Sequence, residues 1–410
     1  MLSHSSEQKI DVNTENTSKD YRFALIMMAI LFFTFGFITC LNDILSPTLK
    51  RILHLNYTQI SYIPFAFFFA YFLISPPSIW VVKKIGYQNS TGVGILITGV
   101  GCLLFLPASI YLSFNVFLIA LFVLASGMAL LQTAANPYIA ILGTPETSSS
   151  RLTIVQAFNS LGTTIAPAFG TIFILENLSR NPDAEALKIP YIGLGIALFL
   201  LAITIFLIRL PKVTPQQTDE MEESNKTSVW QYSHLVLGAV GIFMYVGAEV
   251  SIGVYLVNYI GLPQILNLEE KNAGFYLSFY WGGAMVGRFL GSVVMQKIAP
   301  QKVLFFNAFL AAILLLLGVF LQGMLALIAI LLIGFCNSIM FPTIFTLALK
   351  KLGKFTEAGS GILCMAIVGG ALVPVLHGKM ADIFGLQLSF LVPLICYLYI
   401  AFFGMKGYKS

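Results

Sequence analysis

The sequence predicts an all-α membrane protein with twelve transmembrane helices, arranged as two pseudo-symmetric six-helix bundles. Hydrophobic residues make up 58% of the 410 residues and charged residues only 10%, and the mean hydropathy is +0.86. So few charges cannot cover the surface of a soluble protein. Apolar runs of spanning length recur along the whole chain, and a long polar stretch interrupts them near its middle.

The spans follow from the length of each apolar run. About 20 apolar residues cross the hydrocarbon core of a bilayer as a helix. The first run is too long for the apolar core of a cleaved signal peptide, so we expect it to remain as a spanning helix. The predicted spans are 22–49, 58–82, 90–111, 113–142, 151–177, 189–209, 232–260, 271–297, 301–321, 323–351, 357–384 and 387–406.

The polar stretch PQQTDEMEESNK divides these spans into two sets of six. Polar segments of this composition behave as flexible linkers. The predicted organisation is an N-terminal tail at 1–21, a first bundle at 22–210, a linker at 211–231, a second bundle at 232–406 and a C-terminal tail at 407–410.

The basic residues predict the orientation, because cytoplasmic loops carry an excess of Lys and Arg. If both termini lie in the cytoplasm, sixteen of the 23 basic residues fall in cytoplasmic segments, and Arg288 falls within the eighth helix. The six in outer segments are Lys50, Arg51, Arg180, Lys188, Lys271 and Lys379. The excess predicts an even number of spans with both ends inside.

Matched prolines indicate an internal repeat. The fourth helix carries NPYIAILG with Pro137, and the tenth carries FPTIFTLALKKLG with Pro342, 205 residues later. GTTIAP ends at Pro167 and GGALVP ends at Pro374, 207 residues apart. Proline-interrupted helices in equivalent positions of two halves are typical of transporters and point to a binding site between the halves.

Two acids lie well inside predicted spans, Asp43 in the first helix and Glu249 in the seventh. A charge at the centre of a bilayer costs at least ~2.5–3.5 kcal/mol, so such residues usually have a function. We expect these two acids to face each other across a central cavity and to couple transport to a cation. The alternative is that each is a structural carboxylate paired to a neighbouring Lys, Arg or amide. Arg288 follows a row of glycines in GGAMVGRFLG, and we expect it to serve packing, to snorkel or to hold a loop carbonyl.

Seven membrane amides predict a polar cavity, because amides supply both donors and acceptors for a polyol. They are Asn42, Gln132, Asn136, Gln156, Asn159, Asn258 and Asn337. The eighth helix adds FYLSFYW, in which Trp281 is the candidate for packing against a sugar ring. Some of these amides could instead join helices by hydrogen bonds.

Nothing in the sequence favours an enzyme. It contains no nucleotide-binding loop, no cluster of zinc ligands and no nucleophile elbow. A transporter without an ATPase domain needs the energy of an ion gradient or of the substrate's own gradient. An efflux pump remains an alternative, although its cavity should be wide and apolar.

The motifs resemble the fucose–galactose–glucose:cation symporter family of the major facilitator superfamily, from about residue 23 to 405. The resemblance rests on LNDILSP, QTAANPYIAILG, RLTIVQAFNSLGTTIAP, GAEVSIGVYLVNYIG, GRFLGSVVMQKIAPQKVL, FPTIFTLALKKLG and GSGILCMAIVGGALVPVLHGKMADIFG. It implies a twelve-helix major facilitator fold that works by alternating access. It also implies a coupling role for Asp43 and sugar contacts at Gln156 and Asn159.

The chain departs from the fucose type of this family at two positions. Gln132 stands where the fucose type has a second essential acid, and Glu249 stands where it has glutamine. Both changes resemble the glucose/galactose branch, which includes sodium-dependent members. Asp43 with Asn42 could form an oxygen cage for Na⁺. Na⁺ and H⁺ both remain candidates, with Na⁺ slightly favoured.

We therefore expect a symporter of the bacterial inner membrane that takes up a hexose, glucose or galactose first, with Na⁺ or H⁺. The alternatives are a proton-coupled permease for L-fucose or another monosaccharide and an efflux pump. The expected partners are the monosaccharide and the lipid bilayer, with no nucleic acid and no cofactor besides the co-transported ion. We expect the protein to act as a monomer.

Overall fold

The structure is a computed structural model that describes residues 21–39, 57–111, 113–170, 188–211 and 227–409. Within these residues the chain forms helices that correspond to the twelve predicted spans. They are α1 Tyr21–Thr39, α2 and α3 within Tyr57–Tyr111, α4 Phe114–Ile141, α5 Ser148–Gly170, α6 Lys188–Leu207, α7 Ser233–Ile260, α8 Glu270–Val294, α9 Pro300–Phe320, α10 Gly323–Asn337 and Met340–Leu349, α11 Thr356–Met365 and Gly369–Phe384, and α12 Leu386–Ser389 and Leu391–Met405.

The connection between the second and third helices is shorter than predicted. The sequence indicates a polar turn at 83–89, but the structure keeps helical backbone on both sides of Gly86. Gly86 has a φ of 79°, which glycine adopts readily because it has no Cβ. We define α2 as the part of Tyr57–Tyr111 before Gly86 and α3 as the part after it.

The tenth helix is interrupted where proline chemistry requires it. Its first part ends at Asn337 and its second begins at Met340. The ring of a helical proline clashes with the carbonyl four residues earlier, and for Pro342 that residue is Ser338. The interruption therefore frees the Ser338 carbonyl oxygen from the helix ladder.

Two glycines support the repeat that the sequence indicates. A Cβ on Gly162 of α5 would overlap the carbonyl oxygen of Phe33 on α1. A Cβ on Gly369 of α11 would likewise overlap the carbonyl oxygen of Phe243 on α7. These glycines begin the two matched G-x4-P motifs, so each half uses its own copy to bring its fifth helix against its first.

Connections cluster at one end of the helices, which we call the linker face. It carries Gly86 and the segments 142–147, 208–211, 227–232, 295–299, 350–355 and 406–409. Hydrogen bonds join several of them, including Tyr138 Oη to the Pro211 carbonyl at 3.2 Å and Gln88 Nε2 to the Ile208 carbonyl at 2.6 Å. At the other end, which we call the opposite face, Gln387 Nε2 donates to the Leu321 carbonyl at 2.9 Å.

Polar contacts join the two halves on the side of the linker face. Ser149 and Ser150 at the start of α5 pair with Thr346 Oγ1 and with the Ser292 carbonyl, each at 2.5 Å. Two further contacts use the start of α11. They are Tyr87 Oη to Glu357 Oε1 at 3.2 Å and Ser360 Oγ to the Thr133 carbonyl at 2.8 Å. We call these four contacts the linker-face gate, and it is closed in this structure.

Candidate functional site

Glu249 lies on α7 and faces charged and hydroxyl groups. Tyr245, one turn earlier on the same helix, donates its hydroxyl to Glu249 Oε1 at 2.7 Å. Arg288 Nη2 of α8 lies 3.8 Å from the same carboxylate oxygen. The side chains of Glu249 and Arg288 are 14% and 13% exposed, so the pair is mostly buried but not sealed from water. The opposite charges compensate each other inside the bundle.

Arg288 contacts both halves of the protein. Its Nε donates to the freed Ser338 carbonyl at 3.3 Å, within the second half. Its Nη1 donates to Ser160 Oγ and, at 3.5 Å, to the Gln156 carbonyl, both on α5 of the first half. Arg288 does hold a carbonyl, but that carbonyl lies at the interruption within α10 and not in a loop. The contact with α5 was not predicted, and an arginine partner for Glu249 was predicted only as the alternative, structural role of that acid.

Small residues on α8 allow Arg288 to lie this close to α10. Cβ atoms on Gly287 and Gly291 would crowd Ser338 and Ile339, the two residues of the α10 interruption. A Cβ on Gly283 would lie 3.3 Å from the Phe335 nitrogen. The glycine row therefore packs one helix closely on another, as the sequence predicts.

A chain of buried hydrogen bonds extends the site into the second half. Tyr280 Oη of α8 donates to the Glu249 carbonyl at 3.4 Å. Asn337 Nδ2 of α10 donates to Tyr280 Oη at 2.8 Å, and Tyr397 Oη of α12 donates to Asn337 Oδ1 at 2.8 Å. We call Tyr245, Glu249, Tyr280, Arg288, Asn337 and Tyr397 the Glu249 cluster; it connects α7, α8, α10 and α12.

Tyr397→Phe tests how strongly this chain holds the second half together. We expect the free energy of unfolding to fall by about 1–3 kcal/mol, because the buried Asn337 oxygen loses its donor. Thermal unfolding of the purified protein in detergent measures the change. Tyr408→Phe is a suitable control, because that tyrosine lies near the C-terminus outside the cluster. An equal loss of unfolding free energy in both variants would show that this chain of hydrogen bonds does not stabilise the fold.

The repeat prolines of both halves expose carbonyls that polar side chains then use. Pro137 on α4 lies four residues after Thr133, whose carbonyl accepts the Ser360 hydroxyl. Pro342 lies four residues after Ser338, whose carbonyl accepts from Arg288. Backbone groups freed by proline inside a membrane need such partners. The matched prolines therefore mark polar contacts at the interface, as the sequence indicates.

Gln132 and Asn136 lie one turn apart on α4, and both are buried. Gln132 Nε2 donates to Tyr71 Oη of α2 at 3.2 Å. Within the part of the chain that the structure describes, neither amide atom of Asn136 has a hydrogen-bond partner. A buried amide without a partner costs free energy, so Asn136 is the amide of this pair that has capacity left for another group.

Gln156 and Asn159 of α5 have different surroundings. The Gln156 carbonyl takes part in the Arg288 contact, and its side chain is buried. Asn159 Nδ2 donates to the Phe32 carbonyl of α1 at 3.0 Å, so this amide group joins two helices of the first half. Asn337 serves a similar joining role in the second half. The predicted sugar contacts at these residues remain predictions.

Among the predicted sugar contacts that the structure describes, Trp281 and Asn258 have the most exposed side chains. Trp281 is 40% exposed, beside Tyr280 with ring centroids 5.2 Å apart. Asn258 is exposed and follows Glu249 by nine residues on α7, about 13 Å along the helix. Asn258 therefore lies towards the opposite face, away from the Glu249 cluster.

Asp43 and Asn42 lie outside the described residues. Their predicted role in ion coupling, the predicted Na⁺ cage and the expected approach of Asp43 to Glu249 are therefore expectations from the sequence alone. Among the described residues, Glu249 is the acid that an arginine pairs with inside the bundle.

Sequence reasoning missed the tyrosines of the Glu249 cluster. Tyr245 precedes Glu249 by four residues, a spacing that places both side chains on one face of a helix. That signal was available in the sequence. Tyr280 and Tyr397 carried no comparable signal, because they come from other helices and meet Asn337 only after packing.

Comparisons with known proteins agree with this architecture. A family model described as Major Facilitator Superfamily matches residues 27–367. The glucose/galactose transporter of Brucella abortus is 53% identical over 405 residues, covering 97% of this chain and 98% of the relative. The L-fucose-proton symporter of Escherichia coli is 31% identical over 413 residues, covering 94% and 93%.

A solved structure shows the same arrangement of helices. The crystal structure of the transporter FucP in the outward conformation is 30% identical, with a TM-score of 0.85 over 95% of this chain and 99% of that one. The family model, the relatives that match nearly end to end and the shared architecture agree. The chain belongs to the Major Facilitator Superfamily.

Proposed function

We propose that this protein imports a hexose, glucose or galactose first, by symport with a cation. The observation that carries the proposal is the Glu249–Arg288 pair, which lies inside the bundle and contacts both halves. An ionisable acid in such a position can take up and release a cation during transport. The name and the high identity of the Brucella relative support a hexose as the cargo.

The buried amides of the first half are suited to a polyol. Gln132, Asn136 and Gln156 are buried polar side chains on the first half, and Asn136 has unused donors and an unused acceptor. Trp281 is exposed enough to pack its ring on the C–H face of a sugar. We assign these four residues, with Asn159, Asn258 and Asn337, as candidate sugar contacts.

The coupling ion is Na⁺ or H⁺. In this proposal Asp43 and Glu249 carry the exchangeable charge, and Asn42 assists Asp43 if the ion is Na⁺. The resemblance of Glu249 and Gln132 to the glucose/galactose branch favours Na⁺. The protein needs no cofactor besides this co-transported ion, and we expect it to work as a monomer.

The linker face is the cytoplasmic face in this proposal. The excess of basic residues in its connections supports that orientation, with both termini inside and the protein in the bacterial inner membrane. The closed linker-face gate then corresponds to a state that loads cargo from outside. The likeness to a structure in the outward conformation supports the same interpretation.

Uptake into proteoliposomes tests the proposal. Purified protein is reconstituted, and radiolabelled D-glucose, D-galactose and L-fucose are each offered with an inward Na⁺ gradient, an inward proton gradient or neither. We expect D-glucose or D-galactose to accumulate above its outside concentration with one gradient only. A matching ionophore and protein-free liposomes should both abolish the accumulation.

Each alternative gives a different outcome in the same assay. Accumulation of L-fucose alone with a proton gradient would replace hexose by the fucose alternative. Gradient-driven loss of preloaded sugar would indicate efflux. The absence of accumulation for every sugar and gradient would contradict symport.

A further inference from the structure

Arg288 lies between the two halves and contacts both of them. Its guanidinium lies between the carboxylate of Glu249, in its own half, and Ser160 and the Gln156 carbonyl, in the other half. The linker-face gate begins on the same two helices, where Ser150 of α5 meets the Ser292 carbonyl of α8 at 2.5 Å. One cation therefore touches both the acid and the helix pair that closes the gate.

We infer that Arg288 is a positioning residue that makes closure of the linker-face gate depend on the charge of Glu249. This inference rests on the proposed function, because it assigns the step by which cargo binding changes the conformation. Arginine suits the role, because its planar fork can donate to several partners at once.

The closed gate is stable while Glu249 is negative. Arg288 is mostly buried in this state, and the Glu249 carboxylate compensates its charge at 3.8 Å. The other groups around the guanidinium are neutral: the Ser160 hydroxyl and the carbonyls of Gln156 and Ser338. Around Glu249, the further polar groups are the hydroxyls of Tyr245 and Tyr280. Among the described contacts, the negative charge facing Arg288 thus comes from Glu249.

A cation that neutralises Glu249 removes this compensation. A buried charge whose partner is removed is strongly destabilising. The protein can relieve the cost by separating α5 from α8, which lets water reach Arg288. Loading the cation would therefore open the linker face, and releasing it would restore the pair and close the face. A cation bound from the opposite face would then be released at the linker face.

The test measures the gate directly and needs no sugar. Spin labels are placed at Glu146→Cys and Lys297→Cys, two exposed positions at the linker ends of α5 and α8, after the native cysteines are replaced by alanine. Pulsed electron–electron double resonance in proteoliposomes then gives the ratio of long to short distances between the two spin labels. This ratio reports open against closed linker faces, with thermal unfolding as the check that each variant folds.

Three variants isolate the role of Arg288. Glu249→Gln should raise the open-to-closed ratio on the order of tenfold, because it leaves Arg288 without its anion. Adding Arg288→Gln should return the ratio to within about threefold of the parent, because no buried charge remains unpaired. Adding Arg151→Gln instead should not reverse the shift, because Arg151 donates to the Ala140 and Thr144 carbonyls of its own half.

The outcomes separate this inference from the proposed transport. An unchanged open-to-closed ratio in Glu249→Gln would overturn the inference. A double variant in which Arg288→Gln raises the ratio further, instead of restoring it, would overturn it as well. Equal reversal by Arg151→Gln would also overturn it, since any lost arginine would then suffice. Because the ratio is measured without sugar or gradient, it can fail while hexose uptake succeeds, or succeed while uptake fails.

Discussion

Replacing Glu249 by glutamine is expected to abolish gradient-driven accumulation of hexose while leaving sugar exchange across the membrane intact. The amide oxygen can still accept the Tyr245 hydroxyl, but it carries no charge that a cation could neutralise. One charge driven by 100 mV is worth about 2.3 kcal/mol, which sustains roughly fiftyfold accumulation. We expect this factor to fall to about one in counts of radiolabelled hexose.

Two further variants define what the result means. Glu269→Gln changes an exposed acid at the start of α8, and we expect it to accumulate hexose as the parent does. Asp43→Asn removes the acid that the family resemblance assigns to coupling, and we expect it to lose accumulation as well. Normal accumulation in Glu249→Gln, together with loss of accumulation in Asp43→Asn, would assign ion coupling to Asp43 alone.

Gly369→Val is expected to have the largest effect on stability. The added side chain would overlap the Phe243 carbonyl and force α7 and α11 apart. Overpacking a tight contact typically costs 1–3 kcal/mol, and a clash with backbone lies at or above the upper end of about 3 kcal/mol. The yield of monodisperse protein after detergent extraction and the thermal unfolding midpoint should both fall.

The repeat supplies a second test, and another glycine supplies the control. Gly162→Val should lower the midpoint by a similar amount, because its Cβ would meet the Phe33 carbonyl of α1 in the same way. Gly193→Val on α6 adds the same side chain where no heavy atom of the described residues lies within 4 Å, so its midpoint should change little. Equal midpoints for all three variants would mean that these close approaches do not stabilise the packing of the first and fifth helices within each half.

Much of the fold could be predicted because the bilayer restricts it. Apolar runs of spanning length must become helices, since lipid offers the backbone no hydrogen bonds. The matched prolines and the G-x4-P motifs indicated the repeat, and the structure shows their contacts at Gly162, Gly369, Thr133 and Ser338. The predicted break at 83–89 was longer than the observed one, because Gly86 alone can reverse the chain while its neighbours stay helical.

The candidate site could be predicted only in part. Glu249 was evident, because an acid is costly inside a span. Its arginine partner was not, because Arg288 had a sufficient local explanation in its glycine row and a position near the end of a predicted span. Asn159 and Asn337 carry the same amide as Asn136, yet they join helices while Asn136 has no partner among the described residues.

The membrane setting, the spans, the repeat and the presence of an acid within α7 follow from the sequence alone. Those properties depend on composition, length and local spacing. The packing of the helices was needed to show that Arg288 joins Glu249 to Ser160 of the other half, and which amides already have hydrogen-bond partners. The physical reason is that a side chain's partners depend on the rotation and tilt of its helix. Packing against neighbouring helices sets both, and no single span contains that information.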